Sequence, residues 1–290
     1  MSPEQLFQQA LNGLSFGALL FILAAGLSLV FGMMDVVNLA HGAFYMLGAY
    51  VAYSVVQGTG SFWLAVLVAP AMLFALGVVL EPLLLRRLRG RHLDQVLLTI
   101  GVSLVIADQI GLWWGREVHA LAAPPGLDGS LSLYGGAYSA YRLAVIVFGV
   151  GLSVALMLIQ QRTKLGMLIR AGVQDTEMLS ALGVDTDRLF ALTFASAAAL
   201  AGLAGVVAAP LLGLQPGMDV QALLFSLVVV VVGGLGTLGG AVAGSALVGP
   251  LDTFGEILLQ ELALAVIFAI VAVVLLFRPT GLLGRIRIAR

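Results

Sequence analysis

The sequence predicts an all-α, polytopic helical bundle that crosses a membrane about eight or nine times and includes broken or re-entrant segments. Three observations carry this prediction. Hydrophobic residues make up 61% of the 290 residues and charged residues only 10%, with a mean hydropathy of +1.09. Long apolar runs recur along the whole chain, which is typical of multi-span α-helical membrane proteins. Lys and Arg, in contrast, are concentrated in a few short stretches.

Nine apolar segments are each expected to form a membrane helix or part of one. They are Leu11–Phe31, Gly42–Val56, Phe62–Leu85, Gln95–Trp114, Arg142–Gln160, Leu189–Leu212, Ala222–Leu235, Ala241–Leu259 and Glu261–Phe277. The second and seventh are short for a hydrocarbon core of about 30 Å. The residues before Leu11 lack the basic flank and cleavage site of a signal peptide, so the first segment is expected to be a retained span.

The polar stretches between these segments are too short for a nucleotide-binding or catalytic domain. We therefore expect one membrane domain over residues 1–290, no cofactor, and an energy source that belongs to a partner subunit or to an ion gradient. The absence of cysteine excludes disulfides and Cys-ligated metals. The three histidines are scattered and no Ser/His/Asp set is found, so we do not expect an enzyme. The net charge of −1 gives no indication of a nucleic-acid partner.

The distribution of basic residues predicts the orientation. Twelve of the 14 Lys and Arg residues fall in three stretches, which the positive-inside rule assigns to the cytoplasm. They are Arg86, Arg87, Arg89 and Arg91; Arg162, Lys164, Arg170 and Arg188; and Arg278, Arg285, Arg287 and Arg290. Only Arg116 and Arg142 remain for the other side, where residues 115–141 form the main outer loop. The N-terminus is therefore expected outside and the C-terminus inside.

A polar interruption follows the first apolar segment. Asp35, Asn38, His41 and Tyr45 would share about a third of the circumference of a helix. Polar groups at membrane depth usually face a bundle interior or an aqueous cavity, and interrupted segments often border a transport path. A polar stripe on the fourth segment, Gln95, Thr99 and Ser103, suggests the same role. The candidate path residues are Asn38, His41, Tyr45, Thr99 and Ser103. Alternatively, these groups cap helix ends or bind neighbouring backbone.

The stretch Arg162–Arg188 is a polar island between two apolar segments. Asp175 is expected to cap a short helix, Thr176–Leu182, and Gly183 to end it in a left-handed conformation. A loop and a two-turn helix between two membrane spans suggest a contact with a cytoplasmic partner. Alternatively, the stretch is a solvated connector.

The glycine-rich stretch Gly234–Gly239 formally matches GxGxxG, but it lies between membrane segments and not in a soluble βαβ unit, so it does not indicate dinucleotide binding. Gly236, Gly240 and Gly244 recur every four residues, which predicts tight helix packing or a helix break. Polar breaks near both ends of the chain, within residues 11–57 and 222–259, suggest an internal repeat.

Five stretches together resemble the inner-membrane permeases of branched-chain amino acid ABC importers, the LivH type, in family order. The first is GLSLVFGMMDVVNLAHGAFYMLGAYVAY, which begins at Gly26. The others are Gln95–Ile106, Gly166–Gly205, Val230–Gly244 and the ending RPTGLLG from Arg278. This resemblance covers most of the chain, and it implies a bacterial inner-membrane protein surrounded by lipid.

The resemblance implies a permease subunit of an ATP-driven importer for branched-chain or related hydrophobic amino acids. It also implies a second, LivM-like permease, two cytoplasmic ABC ATPases that bind the ATP, and a periplasmic substrate-binding protein. Residues 162–188 then become the coupling loop. The residues expected to contact an ATPase are Asp175, Thr176, Glu177, Met178, Leu179, Leu182 and Gly183, with Glu177, Asp185 and Asp187 as a charged rim.

Two other functions remain open. Relatives of this family carry urea or short amides, so the substrate can differ. A different class is a secondary transporter driven by an ion gradient, although the carboxylates Asp35, Asp108, Asp252 and Glu256 all lie near segment ends or breaks and offer little for a proton relay. A purely structural membrane subunit is weaker still, because polar breaks would cost stability without any gain.

Overall fold

The computed structural model describes residues 2–34, 38–133, 136–258 and 263–284, and most of these residues are helical. The helices of this part of the chain are α1 (Pro3–Met34), α2 (His41–Thr59), α3 (Phe62–Leu80), α4 (His92–Trp114), α5 (Ala140–Arg162), α6 (Lys164–Gln174), α7 (Thr176–Ala181), α8 (Thr186–Leu212), α9 (Met218–Gly233), α10 (Leu238–Leu258) and α11 (Ala263–Phe277). A π-helical turn, Glu81–Leu85, and a 3₁₀ turn, Arg86–Leu88, extend α3. A β-hairpin of β1 (Ser130–Leu133) and β2 (Gly136–Ser139) precedes α5.

Five described helices are long and apolar enough to cross a membrane: α1, α3 with its two turns, α4, α5 and α8. The helices α9 and α10 meet at a bend of 113° and count together as a sixth, broken or re-entrant, span. The predicted all-α membrane fold with broken segments is therefore confirmed, whereas the count of eight or nine spans is not. The predicted boundary between the last two segments, at 259–261, lies outside the described residues.

The helices α1 and α8 form the buried centre of the bundle. Their most apolar windows are 72% buried, compared with 11% for α4 and α5, which leave most of their apolar surface for lipid. Small residues allow this close packing: a Cβ on Gly26 of α1 would lie 2.8 Å from the carbonyl oxygen of Ala197 in α8, and Gly48 of α2 meets Gly202 of α8. Such contacts between small residues are the usual basis of helix association in membranes.

The two ends of the bundle differ in their connections. The "hairpin end" carries residues 115–139 with the β-hairpin, and the start of α1 reaches it because Gln8 lies beside Gly136. The "basic end" carries the turn at Arg86–Arg91 together with α6 and α7. The basic residues Arg285, Arg287 and Arg290 and the polar Asp35 lie outside the described residues.

The glycine-rich break between α9 and α10 is held by the segment after α11. Leu282 and Leu283 donate backbone hydrogen bonds to the carbonyl oxygens of Val232 and Gly233, each at 2.8 Å. These carbonyls belong to the last turn of α9 and have no partner within that helix. The segment that begins at Arg278 thus closes the end of α9.

Candidate translocation path and coupling segment

Three of the predicted path residues meet at the break between α1 and α2, and all three are buried. The amide oxygen of Asn38 accepts a hydrogen bond from the Ala40 backbone at 3.1 Å. The Thr99 hydroxyl accepts one from the Leu39 backbone at 3.2 Å, which joins α4 to the break. The His41 ring lies 2.9 Å from the Leu23 carbonyl, so its Nε2 must carry the proton. Asn38 and Thr99 therefore bind backbone of the interrupted region, and His41 binds backbone within α1.

The packing around this break is tight. Asn38 and Thr99 border a space of only about 10 Å³, together with Phe44 and Phe194, whose rings meet edge to face at 6.0 Å. A space of this size is at the lower limit for one water molecule. Little free space therefore remains beside Asn38 and Thr99.

The other two predicted path residues lie apart from this group. Tyr45 is buried and lines a larger cavity toward the hairpin end. Ser103 is half-buried on α4 and lines neither this cavity nor the small space at the break.

The hairpin-end cavity has a volume of about 380 Å³ and lies among α1, α5, α9 and α10. Its apolar lining includes Phe16, Leu19, Leu20, Leu23, Leu212, Ala222 and Phe225. Its polar lining consists of Gln9, Asn12, Tyr45, Arg142, Gln215, Gln221, Asp252, Thr253 and Glu256. The volume falls in the range of small-molecule sites, and the wall combines apolar and polar side chains in similar number.

Charges of both signs line this cavity. Arg142 donates a hydrogen bond to the Asn12 side chain at 3.3 Å. Asp252 is only 7% exposed, and Glu256 lies one helical turn further along α10. No site was predicted at these residues, although Gln9 and Asn12, like Asp252 and Glu256, have the spacing of one helix face.

The stretch Arg162–Arg188, called the coupling segment after its expected role, has the predicted local structure around α7. The Asp175 carboxylate accepts a hydrogen bond from the Met178 backbone at 2.8 Å and caps α7. Gly183 follows with a φ of +81°, and Leu182 occupies the C-cap in place of the predicted last helical position. The Thr176 hydroxyl donates to the Gly172 carbonyl and joins α7 to α6. Capping residues within a few positions therefore determine where α7 begins and ends.

Met178, Leu179 and Leu182, the apolar residues among those expected to contact an ATPase, differ in burial. Leu179 is 5% exposed and packs with Met33, Leu189 and Phe190 in a small separate core. Met178 and Leu182 are 60% and 72% exposed. Met178 of α7 and Leu182 at its C-cap are therefore the large apolar side chains of this set that remain available to a partner.

Ion pairs connect the coupling segment to the membrane helices. Asp187, in the first turn of α8, pairs with Arg86 and Arg89, and Arg89 also pairs with the buried Glu81. The Arg89 guanidinium carbon lies 4.2 Å from the centre of the Phe190 ring. Of the three predicted rim carboxylates, Asp187 is therefore engaged within the chain. Asp185 caps α8 and pairs with Arg188, and Glu177 is exposed.

A second cavity opens between these elements at the basic end. Its volume is about 580 Å³, and its lining includes Met33, Gln95, Gly172, Glu177 and Phe190. It lies between the coupling segment and the start of α4. The described residues contain no group of three or more His, Cys, Asp or Glu side chains that could hold a metal ion.

The three glycines of the Gly-rich break all approach backbone. A Cβ on Gly236 would lie 2.7 Å from the Cα of Gly32 in α1, and one on Gly240 would lie 2.7 Å from the Gly233 carbonyl oxygen. Gly244 meets the Val229 carbonyl of α9. The two polar breaks that the sequence analysis compared are therefore in contact.

The chain is similar to known proteins along nearly its whole length. Residues 9–275 match the model of a family described as the permease component of branched-chain amino acid transport systems. The chain is 32% identical to the high-affinity branched-chain amino acid transport system permease protein BraD of Pseudomonas aeruginosa, over 96% of this chain and 95% of BraD. It is 30% identical to LivH of Salmonella typhimurium over 98% of both chains, and 26% identical to LivM of Escherichia coli over 92% of this chain and 68% of LivM. No solved structure matches the chain.

Proposed function

The chain belongs to the family of permease components of branched-chain amino acid transport systems, and from this premise we propose that it is the membrane permease of an ATP-driven importer of branched-chain or related hydrophobic amino acids. It is a multi-pass protein of the bacterial inner membrane. A second, LivM-like permease completes the translocation unit, two cytoplasmic ABC ATPases bind and hydrolyse the ATP, and a periplasmic binding protein delivers the substrate. The similarity of the chain to both LivH and LivM supports a pair of related permeases.

The observation that carries this proposal is the hairpin-end cavity. Its volume of about 380 Å³ suits a small molecule, and it reaches the buried residues Leu23 of α1 and Tyr45 of α2. In our proposal the hairpin end faces the periplasm, and Asn38, His41, Tyr45, Thr99 and Ser103 border the path that opens at a later stage.

ATP binding acts on this path through the coupling segment. In our proposal Asp175–Gly183 docks on an ATPase with Met178 and Leu182, and the charged groups set its register. The ATPases favour either the inward-open or the outward-open state of the permease because they bind the two states with different affinity. The ion pairs of Asp187 with Arg86 and Arg89 support a direct mechanical link to α3.

Reconstitution in liposomes tests the proposal. The chain assembled with a LivM-like permease and the two ATPases should take up radiolabelled L-leucine from the side that holds the loaded binding protein, and only with ATP on the opposite side. The chain alone should transport nothing under a proton or sodium gradient. Gradient-driven uptake by the chain alone would identify a secondary transporter instead. Uptake of urea or acetamide, but not of leucine, by the assembled transporter would show that its substrate is urea or a short amide.

A further inference from the structure

The hairpin-end cavity contains charged groups that the described part of the chain does not neutralise. Arg142 makes one hydrogen bond, to the neutral Asn12, and no ion pair with a described residue. Asp252 is 7% exposed and has neither a hydrogen-bond nor an ion-pair partner among those residues. A charge that is largely buried without a partner is costly, so it is usually neutralised by a ligand or by another subunit when it is retained.

The charged groups border an apolar region of the same cavity. Leu19, Leu20 and Leu23 of α1 lie along one side, and the rings of Phe16 and Phe225 meet edge to face at 5.4 Å. The cavity thus combines a guanidinium, two carboxylates and an apolar surface, all within about 380 Å³. A ligand that satisfies all three must carry an anionic group, a cationic group and a hydrophobic side chain.

We propose that this cavity is a binding subsite for the free zwitterionic amino acid on its way through the permease. Arg142 binds the α-carboxylate, Asp252 and Glu256 bind the α-ammonium group, and the hydrophobic side chain lies against the leucines of α1. This inference rests on the proposed function and adds the site and its recognition chemistry. A guanidinium is the preferred partner of a carboxylate because it can donate two parallel hydrogen bonds.

The charge pattern also predicts which molecules the subsite rejects. Urea and short amides carry neither charge, so they would leave Arg142 and Asp252 unpaired. A site built for charged or polar groups rejects an analogue that lacks them far more strongly than an apolar pocket rejects a missing methyl group. An ethanolamine phospholipid headgroup shares the ammonium and the anion, and the experiment below distinguishes it from an amino acid.

Binding to the full-length chain in nanodiscs tests the subsite. The nanodiscs contain phosphatidylcholine and phosphatidylglycerol only, and the probes are L-leucine, L-leucinamide and 4-methylpentanoate. L-leucine should bind saturably and at least about tenfold more tightly than either analogue, since each lacks one charge-assisted interaction. Arg142→Gln should remove the preference over leucinamide, and Asp252→Asn the preference over 4-methylpentanoate.

Two variants at the same end serve as controls. Arg116→Gln and Glu117→Gln remove one charge of each sign at exposed positions outside the cavity, so both should bind L-leucine as the original chain does. Absence of leucine binding to the original chain, or equal affinities for all three probes, would overturn the subsite. Displacement of leucine by phosphoethanolamine at equal concentration would also overturn it in favour of a headgroup site.

The transport assay separates this inference from the proposed function. If the assembled transporter takes up L-leucine with ATP, and the Arg142 and Asp252 variants do so at unchanged rate and selectivity, the proposed function stands and the subsite is wrong. If the assembled transporter takes up no amino acid, the proposed function is wrong, whatever the nanodiscs bind.

Discussion

Gly32 of α1 lies directly against Gly236 in the break between α9 and α10: a Cβ added at Gly32 would come within 2.8 Å of the Gly236 carbonyl oxygen and 3.0 Å of its Cα. The contact joins the two polar breaks of the chain near the basic end. Neither backbone can move away easily, since Gly236 has a φ of +75° and Gly32 is part of a buried helix.

We expect Gly32→Ala to destabilise the fold by about 1–3 kcal/mol, because the added methyl group must displace backbone. Gly101→Ala is the matched control: Gly101 is also helical, but a Cβ there meets nothing within 4 Å. The Gly101→Ala variant should be as stable as the original chain or slightly more stable, since Ala is a better helix former than Gly. The melting temperatures of the two variants in detergent measure the difference, and equal melting would contradict the close contact.

The buried Glu81 depends on Arg89 for its countercharge. Its side chain is 1% exposed, and that of Arg89 is 26% exposed. Arg89→Gln should therefore cost about 3 kcal/mol, the lower end of the range for removing one partner of a buried pair. The double variant Glu81→Gln/Arg89→Gln should recover part of that loss.

Thermal unfolding of the two single variants and the double variant measures this coupling as a double-mutant cycle. Asp187→Asn provides a comparison at the same cluster and should cost less, because its side chain is 35% exposed. If the double variant loses as much unfolding free energy as the two single variants together, Glu81 and Arg89 do not stabilise each other.

Local signals made the coupling segment predictable. An Asp before a short helix and a Gly after it act within a few residues, so Asp175 and Gly183 have the expected roles as helix cap and stop. The division of the apolar face was not predictable, because Met178 and Leu179 are adjacent in sequence. Leu179 is the buried one only because α1 and α8 lie beneath it.

The hairpin-end cavity illustrates what the sequence could not provide. Arg142 and Asp252 belong to different helices, and each was interpreted separately as a residue near the end of a segment. Their common cavity depends on how α1, α9 and α10 pack, which follows from glycine contacts such as Gly17 with Ser245 and not from any local motif. The predicted number of spans is not confirmed, for a related reason: hydropathy detects α9 and α10 but not the 113° bend between them.

The orientation remains a prediction and has a direct test. The chain has no cysteine, and His92 at the basic end and Ser130 at the hairpin end are both exposed. A single cysteine at each position should react with a membrane-impermeant maleimide from opposite sides of the inner membrane, with Ser130→Cys labelled from the periplasm. Labelling of both from the same side would contradict the topology, and labelling of both after detergent treatment controls for reactivity.

Alanine at Asn38, His41 and Thr99 tests the proposed path. The triple variant should assemble with its partners and lose substrate-stimulated transport roughly tenfold, the equivalent of about 1.4 kcal/mol. Thr99→Ser is the control, since it keeps the hydroxyl that accepts a hydrogen bond from Leu39. Normal transport by the assembled triple variant would assign these residues to helix capping alone. Loss of the folded protein would give the same assignment, because Ala40 and Leu39 would then lack acceptors for their buried N–H groups.

The last prediction concerns the exposed side chains of Met178 in α7 and Leu182 at its C-cap. Met178→Asp/Leu182→Asp should leave the permease folded, because both positions are exposed, and should abolish co-purification of the ATPases or their substrate-stimulated ATP hydrolysis. Leu93→Asp, at a position 80% exposed at the same end, is the matched control and should keep both. Leu179→Asp is unsuitable, since it would place a charge in the core formed with Met33 and Leu189. Normal co-purification together with normal stimulated hydrolysis in the double variant would place the coupling contact elsewhere.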